Sequence, residues 1–178
     1  MLLDDLSSGG EYDVIYADPP WRFKPLFNGA SYSNDQENHY PTMSLDDICA
    51  LDIPAAKNAA LYMWVTSPHL EQGFRVIRDW GFTYKASAIW VKPTAGTGYW
   101  WRNQHELLLV GTRGKWPAPK PKERAPSLYE YPRNRHSEKP PEIREQIAAW
   151  WPDARRLEMF ARQAFNGWDA WGNEAPAA

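Results

Sequence analysis

Asp18-Pro19-Pro20-Trp21 is the segment of this 178-residue chain best equipped for chemistry. It directly follows Tyr12-Asp-Val-Ile-Tyr-Ala17, a short apolar run that reads as a buried strand. A carboxylate is a strong, charge-assisted acceptor for N–H donors. Two consecutive prolines fix two φ angles and remove two N–H groups, which leaves rigid carbonyls facing a ligand. An aromatic side chain beside them can stack on an unstacked base. These features suit one difficult task, alkylation of the exocyclic N6 amine of adenine. That nitrogen is a poor nucleophile because its lone pair is delocalised into the ring. Acceptors for its N–H groups favour a more tetrahedral nitrogen. The plainer reading of the same four residues is a strand-ending turn with a buried tryptophan.

The surrounding pattern supplies elements to hold such a turn. Residues 59–65, 82–91, 105–112 and 155–160 read as further strands, and Phe165 to Trp171 as room for a last short one. Ser44 is placed to cap a short helix over Leu45–Leu51, with Asp46 and Asp47 in its first turn. Thr66 or Ser67 caps a second helix whose apolar positions Leu70, Phe74, Ile77 and Trp80 follow helical spacing, and Gly81 ends it. Ser137, Pro140 and Pro141 open a third, running to about Trp151. Strands alternating with helices predict an α/β fold, a mostly parallel sheet with helices on both faces, in a single domain over 1–178. Ligands bind such sheets beyond the carboxyl ends of the strands, where Asp18 and the segment after Phe160 both fall.

Composition narrows the function classes. The hydrophobic share of 43% is enough for a core. No apolar run approaches the roughly 18 residues that span a bilayer. Met1 to Gly10 shows no secretory pattern, and Cys49 is the one cysteine; both suit a cytoplasmic protein. His39, His69, His105 and His136 lack metal-ligand spacing, so no metal is expected. The net charge is −2, yet Gly111 to Lys139 holds eight Lys or Arg against three acids. That segment is also rich in proline and reads as a long loop over Arg113–Ser137, either a solvated loop or a footprint for phosphates. Lys120, Lys122 and Arg124 lie within it, and Trp100, Trp101 and Arg102 form an aromatic and cationic group nearby in sequence. Both groups are candidates to grip a polynucleotide, with core packing as the alternative for the tryptophans. Loops 22–43 and 113–137 are candidate lids.

The order of motifs resembles the MT-A-seventy family of N6-adenine methyltransferases. The resemblance runs from about Tyr12 to Glu174. Beyond Asp18-Pro-Pro-Trp21 it includes Tyr40-Pro-Thr-Met-Ser44, Leu61-Tyr-Met-Trp-Val-Thr66, Trp80-Gly-Phe82, Ile89-Trp-Val-Lys92, Gly98-Tyr-Trp-Trp-Arg102 with Glu106, and Val110-Gly-Thr-Arg-Gly114. It continues through His136-Ser-Glu-Lys-Pro140, Leu157-Glu-Met-Phe-Ala-Arg162 and Trp168-Asp-Ala-Trp-Gly-Asn173.

The resemblance implies a Rossmann-like fold dependent on S-adenosyl-L-methionine, with the catalytic motif ahead of the cofactor motif. Asp18, Pro19, Pro20 and Trp21 would be catalytic. Asp18 would bind the target amine near the cofactor's methionine amino group, Pro19 would offer its carbonyl, and Trp21 and Tyr40 would flank the base. Lys139 resembles a lysine that meets the cofactor carboxylate. Glu158, Phe160, Arg162, Asn166, Asn173 and Glu174 resemble positions near the cofactor's ribose and adenine. Taken alone, Glu158 reads as an ion-pair residue and Arg162 as a surface charge. Asp4 or Asp5 is a candidate for the acidic group that holds the cofactor's adenine in relatives. The expected partner is nucleic acid, with DNA favoured over RNA. Transfer to RNA and an inactive nucleic-acid-binding subunit are the alternatives. The oligomeric state stays open, a homodimer among the options.

Overall fold

The computed structural model describes residues 10–22, 42–98, 100–132 and 138–172. Tyr40, Asn173, Glu174, Asp4 and Asp5 lie outside the described residues, as does most of the candidate lid 22–43. Seven strands form one sheet: β1 (Tyr12–Ala17), β2 (Ala55–Val65), β3 (Thr83–Val91), β4 (His105–Arg113), β5 (Leu128–Glu130), β6 (Arg156–Met159) and β7 (Asp169–Trp171). Their order across the sheet is β5-β3-β4-β2-β1-β6-β7. β1 pairs in parallel with β2 and β6, β6 with β7, and β3 with β5. β4 runs antiparallel to both its neighbours, β2 and β3. The sheet is therefore mostly parallel, as expected, with one reversed strand inside it.

Side-chain alternation divides the core into two layers. Ile15, Ala17, Leu61, Met63, Val65 and Leu109 face α1 (Leu45–Cys49) and α2 (Leu70–Asp79). Val14, Tyr16, Tyr62, Trp64, Trp90 and Leu108 face α3 (Pro141–Trp150) through Ile143 and Ile147. Strands buried on both faces read as near-continuous apolar runs, which is why β1 and the centre of β2 are uniformly hydrophobic. Ser44 caps α1, its Oγ accepting from the Asp47 N–H at 3.1 Å. Before α2, Ser67–His69 forms a 3₁₀ turn, so the α-helix proper starts at Leu70. Gly81 leaves α2 with φ +77°, a conformation that glycine adopts without a Cβ clash. Pro140 and Pro141 occupy the cap and first position of α3, where a missing N–H costs nothing.

Two expectations need correction. The basic, proline-rich segment is not simply a loop: it contains a 3₁₀ turn at Pro121–Glu123 and strand β5. The prolines stand on either side of Leu128–Glu130, which leaves a short run free to pair along the outer edge of β3. β2 starts at Ala55, earlier than residue 59. The polar Lys57 and Asn58 are the exposed pair near its start, between the buried Ala55 and Ala59, and break the apolar run there.

Candidate active site

β1, β2, β3 and β6 all end on one rim of the sheet, and the reversed β4 begins there. Asp18 sits on this rim, immediately after β1. Its side chain is 30% exposed, and its Oδ2 accepts from Lys139 Nζ at 2.6 Å. Lys139 reaches it from just ahead of α3 and is itself only 9% exposed. The same Nζ lies 3.3 Å from Oε2 of Glu106, the second residue of β4, and the other carboxylate oxygen of Glu106 accepts from Lys92 Nζ. Charges thus alternate in a row along the rim: Lys92, Glu106, Lys139, Asp18.

Aromatic rings form the floor of this row. Lys139 Nζ lies 5.8 Å from the Trp64 ring centroid and Lys92 Nζ 5.1 Å from that of Trp90. The two indoles meet edge to face at 6.1 Å. Ammonium groups over indole faces gain cation–π attraction, and apolar surface beneath the charges strengthens their interaction by lowering the local dielectric. Trp64 Nε1 donates to the Tyr16 hydroxyl at 2.6 Å, which fixes the ring under Lys139. Burial alone would raise the Glu106 carboxyl, but Lys139 and Lys92 overcome it and hold the group below its ordinary value. Lys139 shows the mirror effect: burial would lower its ammonium, and Asp18 and Glu106 raise it instead. Burial pushes the Asp18 carboxyl up, against the pull of Lys139.

The remaining motif residues take more particular positions than expected. The Pro19 carbonyl accepts from the Trp21 N–H at 2.8 Å, and the Pro20 carbonyl from the Met43 N–H at 3.1 Å. A carbonyl has two lone pairs, so Pro19 retains one for a ligand. Trp21 is not an open stacking face. It is buried, donates from Nε1 to the Trp64 carbonyl at 3.2 Å, and stacks on His69 with centroids 5.6 Å apart. Burial lowers the His69 imidazole, and Thr66 Oγ1 lies 2.8 Å from its Nδ1. Trp21 therefore locks the turn that carries Asp18.

On the far side of Asp18, Glu158 of β6 has both oxygens within 3.3 Å of Arg144 Nη1, and the Arg144 guanidinium lies 3.0 Å from the Phe165 ring centroid. Glu158 is thus an ion-pair residue, as its type alone suggests. Burial raises its carboxyl against the pull of Arg144. Phe160, just after β6, has φ +61°, a strained backbone for a residue with a Cβ, and its ring meets Trp171 at 5.3 Å. Such strain tends to gather at functional sites. Arg162 is exposed on the same turn, and its charge is felt at Asp18. Asn166 is exposed in the turn before β7. Trp100 and Trp101 are not core: they are 87% and 84% exposed, in the connection between β3 and β4. Lys120, Lys122 and Arg124 are exposed around the 3₁₀ turn, with Lys120 Nζ 3.5 Å from Glu123.

The sequence pattern assigns no role to Glu106, Lys92 or His69. For Glu106 it does carry a signal, since this is the one acid among the apolar residues of β4, and a charge buried in a strand requires a partner.

The MT-A70 family model matches residues 12–174. The chain belongs to the MT-A70 family. Among its relatives is the type II methyltransferase M.MunI of Mycoplasma sp., 34% identical over 93% of this chain and 78% of that protein. The MT-A70-like N(6)-adenosine-methyltransferase of Arabidopsis thaliana is 30% identical over 93% of this chain. The human N(6)-adenosine-methyltransferase catalytic subunit METTL3 is 29% identical over 89%. The match spans 24% and 27% of those two proteins. The matched range, residues 12–174, includes Asp18 and Lys139.

Proposed function

We propose that this MT-A70 chain transfers a methyl group from S-adenosylmethionine to the exocyclic N6 amine of adenine in DNA. The observation that carries the reading is the Asp18–Lys139 pair at the rim where β1 ends. S-Adenosylmethionine ends in an amino acid, with one ammonium and one carboxylate. The rim offers the complementary set, a carboxylate in Asp18 and an ammonium in Lys139, so the residues present fit that group. When bound, the cofactor supplies an electrophilic methyl on sulfur, and the electron pair of the broken C–S bond stays with sulfur. Glu158, Phe160, Arg162, Asn166, Asn173 and Glu174 are proposed for its nucleoside part.

The chain's own task is to position the amine. Asp18 accepts one N–H of the adenine amine, and the free lone pair of the Pro19 carbonyl accepts the other. Both acceptors gain strength as positive charge develops on nitrogen, which is the moment when stabilisation accelerates the reaction. The nitrogen gains the methyl and releases a proton to water, so Asp18 need not be a strong base. Before the cofactor enters, Lys139 aligns Asp18 and opposes the rise that burial imposes on its carboxyl. Tyr40, Trp100, Trp101, Arg102, Lys120, Lys122 and Arg124 are proposed for the polynucleotide.

DNA is favoured because the match spans most of a type II methyltransferase but about a quarter of the adenosine methyltransferases. No helix of the described residues is long and apolar enough to cross a membrane, and a cytoplasmic setting is part of the proposal. The test is methylation of DNA and RNA pools with labelled cofactor, followed by mapping of modified adenines. Label on N6 of DNA adenine supports the reading. Label in RNA alone moves the substrate, and cofactor binding without transfer to either pool favours an inactive binding subunit.

A further inference from the structure

The connection between β3 and β4 is built to hold two tryptophans outside the fold. Trp100 and Trp101 are 87% and 84% exposed, although each ring would bury roughly 150–250 Å² in a core. The segment beneath them is firmly cross-linked. At its root the Lys92 N–H donates to the Gln104 carbonyl at 2.8 Å, and Gln104 Nε2 donates back to the Lys92 carbonyl at 3.1 Å. Higher up, the Gly96 N–H donates to Asn103 O at 2.8 Å and the Asn103 N–H to Thr97 O at 3.3 Å. Arg102 ties the top, Nε to Gly96 O at 3.2 Å and Nη2 to Ala95 O at 3.1 Å. Where the chain crosses itself, a Cβ on Gly98 would fall 1.8 Å from the Trp101 carbonyl oxygen, so only glycine fits. The bonds among residues 92, 95–97 and 102–104 leave less conformational entropy for a binding partner to remove.

Place and charge say what it binds. Its root residue, Lys92, begins the row of charges that runs through Glu106 and Lys139 to Asp18. The loop therefore stands on the rim of the proposed active site. Residues 92–104 contain Lys92 and Arg102 and no Asp or Glu. Flat aromatic faces beside positive charge, with no negative charge between them, match a stacked base on a phosphate backbone. Arg102 uses Nε and Nη2 on the loop, and a guanidinium has further N–H donors for phosphate.

We propose that Trp100 and Trp101 are a stacking platform for unpaired bases next to the target adenine. They would hold the strand on either side of an extruded or single-stranded nucleotide while Asp18 engages the amine. This rests on the nucleic-acid reading above and adds what part of the polynucleotide is held, and by which residues.

The probe is a thymine oligonucleotide with one central adenine, offered single-stranded and as a duplex to the wild type, Trp100→Ala, Trp101→Ala and the two Phe variants. Loss of one ring should weaken single-strand affinity by roughly 5- to 150-fold, the range of one base–aromatic stack. Phenylalanine should recover most of it, and S-adenosylmethionine affinity by calorimetry should stay at the wild-type value, which also shows that the variants fold. Quenching of indole fluorescence on binding should shrink with each ring removed. Alanine variants within about twofold of wild type, or phenylalanine no better than alanine, would overturn the proposal. So would a wild-type dimer that the Trp100→Ala/Trp101→Ala variant splits, since the rings would then join two copies. Failure of the wild type to methylate any polynucleotide would instead strike the function, because affinity and quenching read the platform without turnover.

Discussion

Lys139 Nζ stands 2.6 Å from Asp18 Oδ2 and 3.3 Å from Glu106 Oε2, so one ammonium bridges two carboxylates, one just past the end of β1 and one in β4. A zwitterionic amino acid entering here would exchange that contact for two, its carboxylate taking Lys139 and its ammonium taking Asp18. Lys139→Ala should weaken S-adenosylmethionine binding by about 10- to 150-fold, the worth of a hydrogen bond to a charged group. Calorimetry checks it, and an unchanged affinity would remove Lys139 from the cofactor site.

Lys139 also sets the ionisation of Asp18. Burial raises this carboxyl and Lys139 opposes the rise. Without the ammonium the carboxyl of the free enzyme should climb further, and the acid limb of the kcat/KM profile, which reports the free enzyme, should shift to higher pH in Lys139→Ala. Lys139→Arg keeps the charge and should restore the limb. An acid limb at the wild-type position in Lys139→Ala would show that Asp18 is not the group being titrated.

Asp18→Ala removes the proposed acceptor for the amine and should abolish transfer. The fold should survive, because Asp18 lies beyond the last core residue of β1. Activity with labelled cofactor and a thermal melt read the two halves separately. Near-normal turnover would refute the assigned role.

Glu106 is held below its ordinary value of 4.5 by Lys139 and Lys92, against burial. A carboxyl lowered on folding adds stability above its unfolded value and loses it as the pH falls through the folded one. The wild type should therefore lose melting temperature below pH 4.5, and Glu106→Gln should fall less steeply there. Glu106→Ala takes a carboxylate from the half-buried Lys92 and Lys139, of which Lys139 keeps Asp18, and should cost about 1–3 kcal/mol at neutral pH. Chemical denaturation measures it, and a loss under about 1 kcal/mol would mean that solvent screens the row.

Lys120, Lys122 and Arg124 are exposed around a short turn, as a phosphate footprint requires. Replacing all three by Gln should weaken duplex binding and reduce the salt slope by about 0.9 for each phosphate that is no longer neutralised. The same slope in the variant would assign this segment to the edge of the sheet alone, through β5 and Trp150 Nε1, which donates to Glu123 O at 2.7 Å.

Short-range patterns are legible in the sequence. The apolar run before Asp18, the Ser44 cap, the spacing in α2 and the proline start of α3 each act within a few residues, and each appears as expected. β5 is hidden because three residues between prolines gain strand character only from the edge of β3. The site divides in the same way. Asp18 and Lys139 follow from motif order, whereas the place of Glu106 depends on the antiparallel pairing of β4, which no local pattern encodes. Trp21 reads as a free aromatic face in the sequence, yet its ring is covered by His69, a partner 48 positions along the chain.

The reversal of β4 has an architectural consequence. A parallel neighbour of β3 would begin on the opposite rim and need a long crossover to reach it, but β3 and the antiparallel β4 are joined on this rim by a hairpin whose two feet, Lys92 and Gln104, are bonded to each other. The proposed substrate-facing end is thus a detachable crown on a closed clasp. Evolution or an engineer could lengthen, shorten or exchange residues 93–103 and retarget the enzyme without disturbing the sheet or the chemistry below it.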